Sequence, residues 1–478
     1  MGSSASDLKQ KFGLLQRIKR HAKFSQTATG VGPHMHYEDT CGLSPAQRRR
    51  LETLRRLLAN VNLHILPDVG FVLWDKSTVP ADLPPDALAV VIADEGVIAA
   101  LVRWPSFHTF LNLWVTSRID LRNGSFLDLA ARQPRERGRK LAKKLDKGLL
   151  LAVAARFIFV RRGGPWPLRK IRGDKARADG SEAANKENVQ YHYDLSNAFY
   201  TLFLDPEMVY TCAYFRDWNN DLTTAQRDKL DMVCRKLRLQ PGETFLDIGC
   251  GWGALVCHAA LHYGVRAHGV TLAQEQFQYA KEKVARLGLE DKVTLELRDY
   301  SFVASSFDKI ASIGMFEHVG IANQPGYFRT INRLLKPGGL YLHHAITMRA
   351  REYQRFQRGK SPVASSVARY IFPGGALDHL AMSIENLELH GFEVHDIEGW
   401  REHYARTTRL WHDRLSANRS AAEREVGSIT TRLWTLWLAG SSLFFTHGSI
   451  GIFQTLASKR VRGHTGLPPT RAHLYVQN

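Results

Sequence analysis

A run of apolar residues that leads into a glycine-rich turn constrains the fold of this chain most strongly. The segment Thr244–Ala254 carries an apolar run up to Asp247, and glycines follow at alternate positions, Gly249, Gly251 and Gly253. Such a segment predicts a β-strand that turns sharply into a helix, because glycine tolerates positive φ and lets a ligand approach the backbone. Strand ends of open α/β sheets are where ligands bind. The D-x-G-x-G-x-G spacing differs from the G-x-G-x-x-G of dinucleotide sites and favours S-adenosylmethionine over NAD.

Apolar runs alternate with helical patterns on both sides of a predicted sheet. Helices are predicted over Gln274–Leu287 and Tyr327–Leu335. The predicted strands are Thr244–Ile248, Arg266–Val270, Val293–Leu297, Lys309–Ile313, Gly339–Ile346 and Phe392–Ile397. Strands that alternate with helices imply an α/β fold with a largely parallel sheet.

The stretch Leu433–Ser458 has no charged side chain and is long enough to cross a bilayer. It is interrupted by glycines, by His447 and Gln454, and by several serines and threonines. We therefore predict buried helices of the second domain here, not a membrane span.

The positive charge of the chain is concentrated in its N-terminal part. The net charge is +19, and residues 1–180 hold 31 Lys and Arg against 16 Asp and Glu. Such a surplus suits either nucleic acid or an anionic membrane surface. The five cysteines form no C-x-x-C pair, which predicts a reducing compartment without structural metal or disulfides. No secretory signal is visible in the polar, lysine-rich start of the chain.

The pattern divides the chain into four parts. Strands near Val69–Trp74 and Ala87–Ile92 and a helix near Pro105–Trp114 indicate a small basic α/β module. The apolar run Leu149–Val160 lies among basic residues, and either an amphipathic helix on a membrane or an ordinary interdomain helix fits it. The predicted parts are a basic, partly disordered head at 1–60, a small lipid- or membrane-binding domain at 61–172, a linker at 173–188 and the S-adenosylmethionine-dependent domain at 189–478.

The strand ends after the glycine turn provide groups for the rest of the cofactor. The loop amides and the helix N-terminus are expected to face its methionine part, with Asp247 near the amino group. A Rossmann-like site places a carboxylate at the ribose about twenty residues on. Here Thr271 and Gln276 supply uncharged hydrogen bonds instead, and we favour Gln276 over Glu275, which should point away from the site. Asp299 and Tyr300 follow the third strand, where adenine is expected.

The fourth strand separates two classes of methyltransferase. Amino-methylating enzymes of nucleic acids place an Asn/Asp-Pro-Pro-Tyr motif there, whereas this chain reads Gly-Met-Phe-Glu-His-Val-Gly over 314–320. Together with the motifs at 191–194, 210–215 and 370–375, this segment resembles the cyclopropane-fatty-acyl-phospholipid synthases and mycolic acid cyclopropane synthases. The resemblance covers about 188–463. It implies a Rossmann-like class I methyltransferase domain with a mostly parallel seven-stranded sheet, beside the smaller basic N-terminal domain.

The resemblance also implies a reaction and its residues. The family transfers the methyl group of S-adenosylmethionine to a cis double bond of an acyl chain, and a bound bicarbonate removes a proton from the resulting carbocation. The matching bicarbonate-binding positions are Cys212, Glu317, His344, the Ile346 main chain and Tyr404. His343 and His344 point to opposite faces of a strand, and the family pattern His-x-Ile aligns with His344.

The remaining predictions concern ligands and partners. The predicted cofactor-binding residues are Tyr210, Thr211, Asp247, Gly249, Cys250, Gly251, Gly253, Thr271, Leu272, Gln276, Asp299 and Tyr300, and no metal site is expected. Candidate aromatic faces for the carbocation are Tyr210, Tyr214, Phe215, Phe316, Tyr370 and Phe372. We expect a phospholipid with unsaturated acyl chains and an anionic membrane surface as partners, no nucleic acid, and a cytoplasmic protein peripherally associated with the membrane. A homodimer and a methyl-branched or methylene product stay open.

Overall fold

The structure is a computed structural model that describes residues 42–133, 140, 143–169, 195–357 and 375–475. The predicted head up to residue 41, the linker at 173–188 and the motif at 191–194 lie outside these residues, as do the candidate aromatic residues Tyr370 and Phe372.

The N-terminal module is a four-stranded sheet covered by helices, with strand order β2-β1-β3-β4. Its strands are β1 (Gly70–Val72), β2 (Thr78–Val79), β3 (Ala89–Ile92) and β4 (Ile119–Arg122). Its helices are α1 (Pro45–His64), α2 (Glu95–Arg103), α3 (Phe107–Val115), α4 (Phe126–Ala131) and α5 (Lys147–Phe157).

Helix α1 belongs to this module. It begins with a capping box between Ser44 and Gln47, which satisfies two backbone donors at its first turn. Its buried leucines, among them Leu51 and Leu54, pack in one core with Phe71 of β1. The helix therefore runs across the predicted domain boundary at residue 60.

The second domain is built on a seven-stranded sheet of order β10-β11-β9-β8-β5-β6-β7. Its strands are β5 (Thr244–Ile248), β6 (Arg266–Thr271), β7 (Val293–Leu297), β8 (Phe307–Ile313), β9 (Leu335–Met348), β10 (Phe392–Gly399) and β11 (Ile450–Lys459). Its helices are α6 (Asn197–Thr201), α7 (Leu222–Lys236), α8 (Ala254–Tyr263), α9 (Gln274–Arg286), α10 (Gln324–Leu334), α11 (Ala350–Gln357), α12 (Leu380–Leu389), α13 (Arg401–Ala417) and α14 (Arg419–Thr446). Strands β5 to β9 pair in parallel, whereas β11 is antiparallel to both β9 and β10. The expected largely parallel sheet of a class I methyltransferase is confirmed.

The apolar stretch Leu433–Ser458 contains the seventh strand, so the prediction that it is helical throughout is wrong. Helix α14 ends at Thr446, and β11 follows at Ile450. Residues on both faces of β11 are buried, since Leu456 packs in one apolar core and Ala457 in another. Its sequence therefore lacks the alternation of a half-exposed strand. Among the residues that the structure describes, no helix is long and apolar enough to cross a membrane.

Helix α14 joins the two domains through one buried arginine. Arg432 is 2% exposed and forms an ion pair at 3.1 Å with Asp120 of β4. Its Nε donates to the carbonyl of Trp114 at 2.7 Å, and its guanidinium lies 4.0 Å from the centre of that indole ring. The same helix packs Leu433 and Trp437 against apolar side chains of α3. The two domains therefore share a polar contact inside an apolar interface.

Replacing Arg432 with methionine should lower the free energy of unfolding by about 3–5 kcal/mol, because it leaves a partly buried carboxylate and carbonyl groups without their donor. Urea denaturation measures this change. The matched control is Arg409→Met: Arg409 is 48% exposed and pairs with Asp413 one turn away, so its loss should cost at most about 1 kcal/mol. Equal losses for the two variants would show that Arg432 does not hold the domains together.

Candidate active site

A cavity of about 510 Å³ opens at the carboxyl ends of β5, β6 and β8. Eleven of the twelve predicted cofactor-binding residues line it: Tyr210, Thr211, Asp247, Gly249, Cys250, Gly251, Thr271, Leu272, Gln276, Asp299 and Tyr300. The residues chosen from the sequence therefore meet in one space. Their role in binding remains a prediction.

The glycine turn links a strand to a helix, as the sequence predicts. Two of its amides, however, do not face the ligand space as expected. Gly249 has φ 80°, and a Cβ at this position would lie 2.9 Å from Cγ of Met315. The amides of Gly249 and Cys250 both donate to the carbonyl of Val270, at 2.9 and 3.0 Å, and are not directed at the cavity. The twelfth predicted residue, Gly253, is outside the cavity lining. It begins α8 with φ 79°, and a Cβ there would lie 3.0 Å from Cβ of Ala280.

The uncharged pair predicted for the ribose lies inside the cavity. Thr271 and Gln276 are buried, and Oγ1 of Thr271 lies 3.4 Å from Oε1 of Gln276. Glu275, the rejected alternative, is exposed on α9. At the next strand end, Asp299 accepts hydrogen bonds from the amide and hydroxyl of Ser301, at 2.8 and 2.6 Å. Tyr300 packs edge-on against Tyr327.

Two opposite charges are buried in the wall of the cavity. Burial raises the pKa of Asp247 to about 7, against the opposing effect of Lys229. Burial also lowers the pKa of Lys229 to about 8. Lys229 was not predicted, because a lysine in the amphipathic pattern of α7 gives no sign that it faces inward. His318 was not predicted either, although it lines the cavity and burial lowers its pKa to about 4.

Four of the five predicted bicarbonate-binding residues lie around Trp400, the residue that follows β10. Cys212, Ile346 and Tyr404 belong to one apolar cluster with this tryptophan. The Cys212 thiol lies 3.8 Å from the carbonyl of Trp400, and the ring of His344 stands edge-on to its indole at 5.4 Å. Sequence reasoning missed Trp400, since a tryptophan after a strand is usually a packing residue.

Glu317 is linked to this group by a hydrogen bond with the backbone of β9. It lies in a short 3-10 turn over Phe316–His318, after β8. The Ile346 amide donates to Oε1 of Glu317 at 2.6 Å, so this main-chain group holds the carboxylate in the structure. His343 points to the other face of the strand, where its Nδ1 lies 3.0 Å from the Tyr341 hydroxyl. The expected opposition of His343 and His344 is therefore observed.

Two buried polar atoms of the five predicted residues are unsatisfied. Oε2 of Glu317 and Nε2 of His344 have no hydrogen-bond partner among the described residues. Nδ1 of His344, in contrast, lies 2.9 Å from Nε2 of Gln454. Unpaired buried polar atoms are costly and call for an explanation, and a small oxyanion with one hydroxyl would satisfy an acceptor and a donor. The residues thus fit bicarbonate.

Burial sets the protonation of the group. It raises the pKa of Glu317 to about 7, although the hydrogen bond from Ile346 acts in the opposite direction. Burial lowers the pKa of His344 well below its usual value and raises that of the Cys212 thiol well above it. At neutral pH the histidine is therefore an uncharged imidazole and the cysteine a thiol. Both can donate a hydrogen bond without adding charge.

The described aromatic candidates fall into different surroundings. Tyr210 lines the cavity and packs on Trp411 at 5.1 Å, and Tyr214 packs on Trp400 at 4.8 Å. Phe316 instead contacts His343 in a separate core. Phe215 packs against Trp218 and His403. Tyr210 thus adjoins the cavity, and Tyr214 adjoins the Trp400 group.

A seven-stranded class I sheet with a glycine turn and a cavity at its strand ends is the architecture of the S-adenosylmethionine-dependent methyltransferases. A sequence profile described as mycolic acid cyclopropane synthetase matches residues 181–455. The chain belongs to this family.

The names of similar proteins describe two kinds of lipid-modifying enzyme, fatty acid methyltransferases and cyclopropane synthases. A probable fatty acid methyltransferase of Pseudomonas putida is 42% identical over 302 residues, which are 63% of this chain and 76% of the relative. The cyclopropane-fatty-acyl-phospholipid synthase of Escherichia coli K12 is 37% identical over 270 residues, 56% of this chain and 67% of the relative.

Solved structures agree with this placement. The cyclopropane synthase MmaA2 from Mycobacterium tuberculosis has a TM-score of 0.55 at 34% identity and covers 57% of this chain and 98% of its own. Mycolic acid cyclopropane synthase CmaA1, complexed with SAH and CTAB, has a TM-score of 0.55 at 35% identity with the same two coverages.

Proposed function

We propose that this enzyme methylates a cis double bond in a phospholipid acyl chain and closes the product to a cyclopropane ring. The observation that carries the proposal is the pair of unsatisfied atoms, Oε2 of Glu317 and Nε2 of His344, in a buried group close to the cofactor cavity. An alkene is a weak, neutral nucleophile, so its methylation requires alignment and a dry site more than a base. A base is needed afterwards, when the cation must lose a proton.

Each set of residues has a separate task in this reaction. When bound, S-adenosylmethionine supplies the electrophilic methyl group and bicarbonate supplies the base. The cavity residues Asp247, Thr271 and Gln276 hold the cofactor, and the faces of Tyr210 and Tyr214 stabilise positive charge on the lipid by up to about 2 kcal/mol each. Glu317 accepts the bicarbonate hydroxyl and so orients its basic oxygen, while His344, Cys212 and Tyr404 donate to its oxygens.

A second product is compatible with the same first step. If the carbocation instead loses a proton from a neighbouring chain carbon, the product is a methyl-branched alkene, and a 1,2-hydride shift followed by loss of a methyl proton gives a methylene branch. The name of the Pseudomonas putida relative, a probable fatty acid methyltransferase, favours this alternative, whereas the Glu317–His344 group favours the cyclopropane.

The test uses purified enzyme, S-adenosylmethionine and vesicles of an unsaturated phospholipid in buffer stripped of carbon dioxide. Product formation should fall under these conditions and return when bicarbonate is added, and NMR of the lipid should show cyclopropane protons. An unchanged rate without bicarbonate would overturn the role of the Glu317 group. A branched methyl signal would replace the proposed product with the alternative.

We also infer that the N-terminal domain docks on an anionic membrane. Helix α5 uses Val153 and Phe157 to pack into its own domain. It nevertheless has a second apolar face, on which Leu151 is 71% exposed and Phe159, just past its end, is 91% exposed. The exposed Arg156 and Arg161 lie beside this face, so that apolar insertion and attraction to anionic lipid act together. This arrangement favours the first of the two alternatives for Leu149–Val160, an amphipathic helix on a membrane.

Substituting Leu151→Asp and Phe159→Asp together should weaken binding to anionic vesicles at least about tenfold, since each large apolar side chain contributes roughly 1.5–3 kcal/mol when buried. Vesicle sedimentation measures the change. Leu261→Asp is the control, because Leu261 is 55% exposed on α8 of the other domain. If the double variant binds vesicles as tightly as the control does, this face is not the docking surface.

A further inference from the structure

A buried lysine in the cavity wall has no role in the proposed reaction. Lys229 of α7 is 3% exposed, and its Nζ donates to Oγ1 of Thr211 at 3.0 Å. Gln226, one turn earlier, donates from Nε2 to the carbonyls of Val209 and Thr211, at 3.3 and 2.9 Å. One face of α7 therefore fixes the segment that carries Tyr210 and Thr211 at the edge of the cavity.

The position of this cation needs a reason, because burying a charge is costly unless it is paired. Two buried carboxylates interact with Lys229, those of Asp205 and Asp247. Asp205 already accepts hydrogen bonds from the amides of Glu207 and Val209, at 2.9 and 3.0 Å. Asp247, in contrast, lines the same cavity as Lys229. The cavity thus presents a buried acid and a buried base together.

The cofactor of this class has a matching pair of charges. Its methionine part carries an ammonium and a carboxylate, and Asp247 is the predicted partner of the ammonium. Two of the expected backbone donors are not available to the carboxylate, because the amides of Gly249 and Cys250 are engaged by Val270. That of Gly253 is engaged by the carbonyl of Cys250.

The other positive groups of the cavity fit the carboxylate poorly. Among the described lining residues, the remaining lysine and arginine side chains are Arg298 and Arg329, and both are exposed. Arg298 also pairs with Glu296 at 2.9 Å. His318 is uncharged at neutral pH, since burial holds its pKa near 4. Lys229 is the buried cation that remains.

We propose that Lys229 binds the carboxylate of the cofactor's methionine part and forms, with Asp247, a buried charge pair complementary to that zwitterion. Before binding, the two side chains partly neutralise each other, and on binding each exchanges this partner for an opposite charge on the ligand. Thr211, held by Lys229, adds a hydroxyl at the same end of the cavity. The proposal requires only that the chain binds the cofactor, and it is independent of which lipid is methylated.

The test compares two ligands by titration calorimetry: S-adenosylhomocysteine and S-adenosyl-3-thiopropylamine, which lacks the carboxylate but keeps the ammonium. The wild type should prefer the first ligand by at least about tenfold, which corresponds to 1.4 kcal/mol. Lys229→Met should lose most of this preference, and Lys229→Arg should retain part of it. Lys281→Met, an exposed lysine on α9, should behave as the wild type does. A Lys229→Met variant with the full preference would overturn the proposal.

A second measurement covers the case in which Lys229→Met does not fold. Burial lowers the pKa of Lys229 to about 8, so its cation is lost as the pH rises through that value. The wild-type preference for the carboxylate ligand should therefore decline above about pH 8, whereas that of Lys229→Arg should persist. The ratio measured with Lys229→Arg corrects for the titration of Asp247 and of the ligand amines. The titratable groups that interact with Lys229 are Asp205, Cys212, Cys234, Asp247, His258 and His344. A wild-type ratio that is constant across this range would contradict the proposal.

Discussion

Glu317→Gln should lower the rate of product formation by about 10²–10⁴-fold, the range typical of a lost acid–base group. Glutamine keeps the shape of the side chain and can still accept the 2.6 Å hydrogen bond from the Ile346 amide. It removes the second carboxylate oxygen, which is buried and has no partner among the described residues. The base would then lose its orientation while the cofactor cavity stays intact. Steady-state kinetics and calorimetry with S-adenosylhomocysteine measure the two effects separately.

The control for this variant is Glu275→Gln. Glu275 is exposed on α9 next to Gln276, so the substitution removes the same charge near the cavity without touching the Trp400 group. We expect its rate and its ligand affinity to be close to those of the wild type. A Glu317→Gln enzyme with normal turnover would refute the assignment of the bicarbonate site.

Gly249→Ala should weaken cofactor binding by tenfold or more and also lower stability. Its φ of 80° strains any residue with a Cβ, and that Cβ would lie 2.9 Å from Cγ of Met315. Backbone strain of this kind costs about 1–3 kcal/mol, and each 1.4 kcal/mol that falls on the bound state corresponds to a tenfold loss of affinity. Calorimetry with S-adenosylhomocysteine gives the affinity, and thermal unfolding gives the stability.

The control variant Gly242→Ala distinguishes the effect of backbone strain from the effect of crowding by Met315. Gly242 has a φ of 83°, but a Cβ there would meet nothing within 4 Å. This variant should therefore lose stability alone, with cofactor affinity unchanged. If Gly249→Ala binds the cofactor as tightly as Gly242→Ala does, the glycine turn does not shape the site.

The parallel part of the sheet was predictable because its strands are short apolar runs followed by turn residues. The structure starts and ends β5 and β7 at the predicted residues, and β6 extends one residue further. Strand β11 was missed because it is buried on both faces and follows α14 within one apolar stretch. Only its pairing with β9 and β10 distinguishes it from a buried helix, and pairing is a long-range property.

Site residues at or soon after the ends of strands were predictable. Site residues that the packing of a distant helix places in the site were not. The glycine turn and Asp299 come directly after strands, Thr271 ends β6, and Gln276 lies in the first turn of the helix that follows it. All of these except Gly253 reach the cavity. Lys229 and Trp400 depend on how α7 and α13 pack against the sheet, which no local pattern records. Gly253 was placed in the site because its spacing matches the turn, although its close neighbour is Ala280 of α9.

Mass spectrometry of lipid treated with the purified enzyme tests methyl transfer to an acyl chain most directly. Vesicles of a monounsaturated phospholipid are incubated with S-adenosylmethionine that carries a deuterated methyl group, and vesicles of the saturated analogue serve as the control. A one-carbon mass gain that carries the deuterium label and is located in the acyl chain of the unsaturated lipid alone is the expected result. No labelled gain in the unsaturated acyl chain, or an equal gain in the saturated lipid, would contradict the assignment of this enzyme to double-bond methylation.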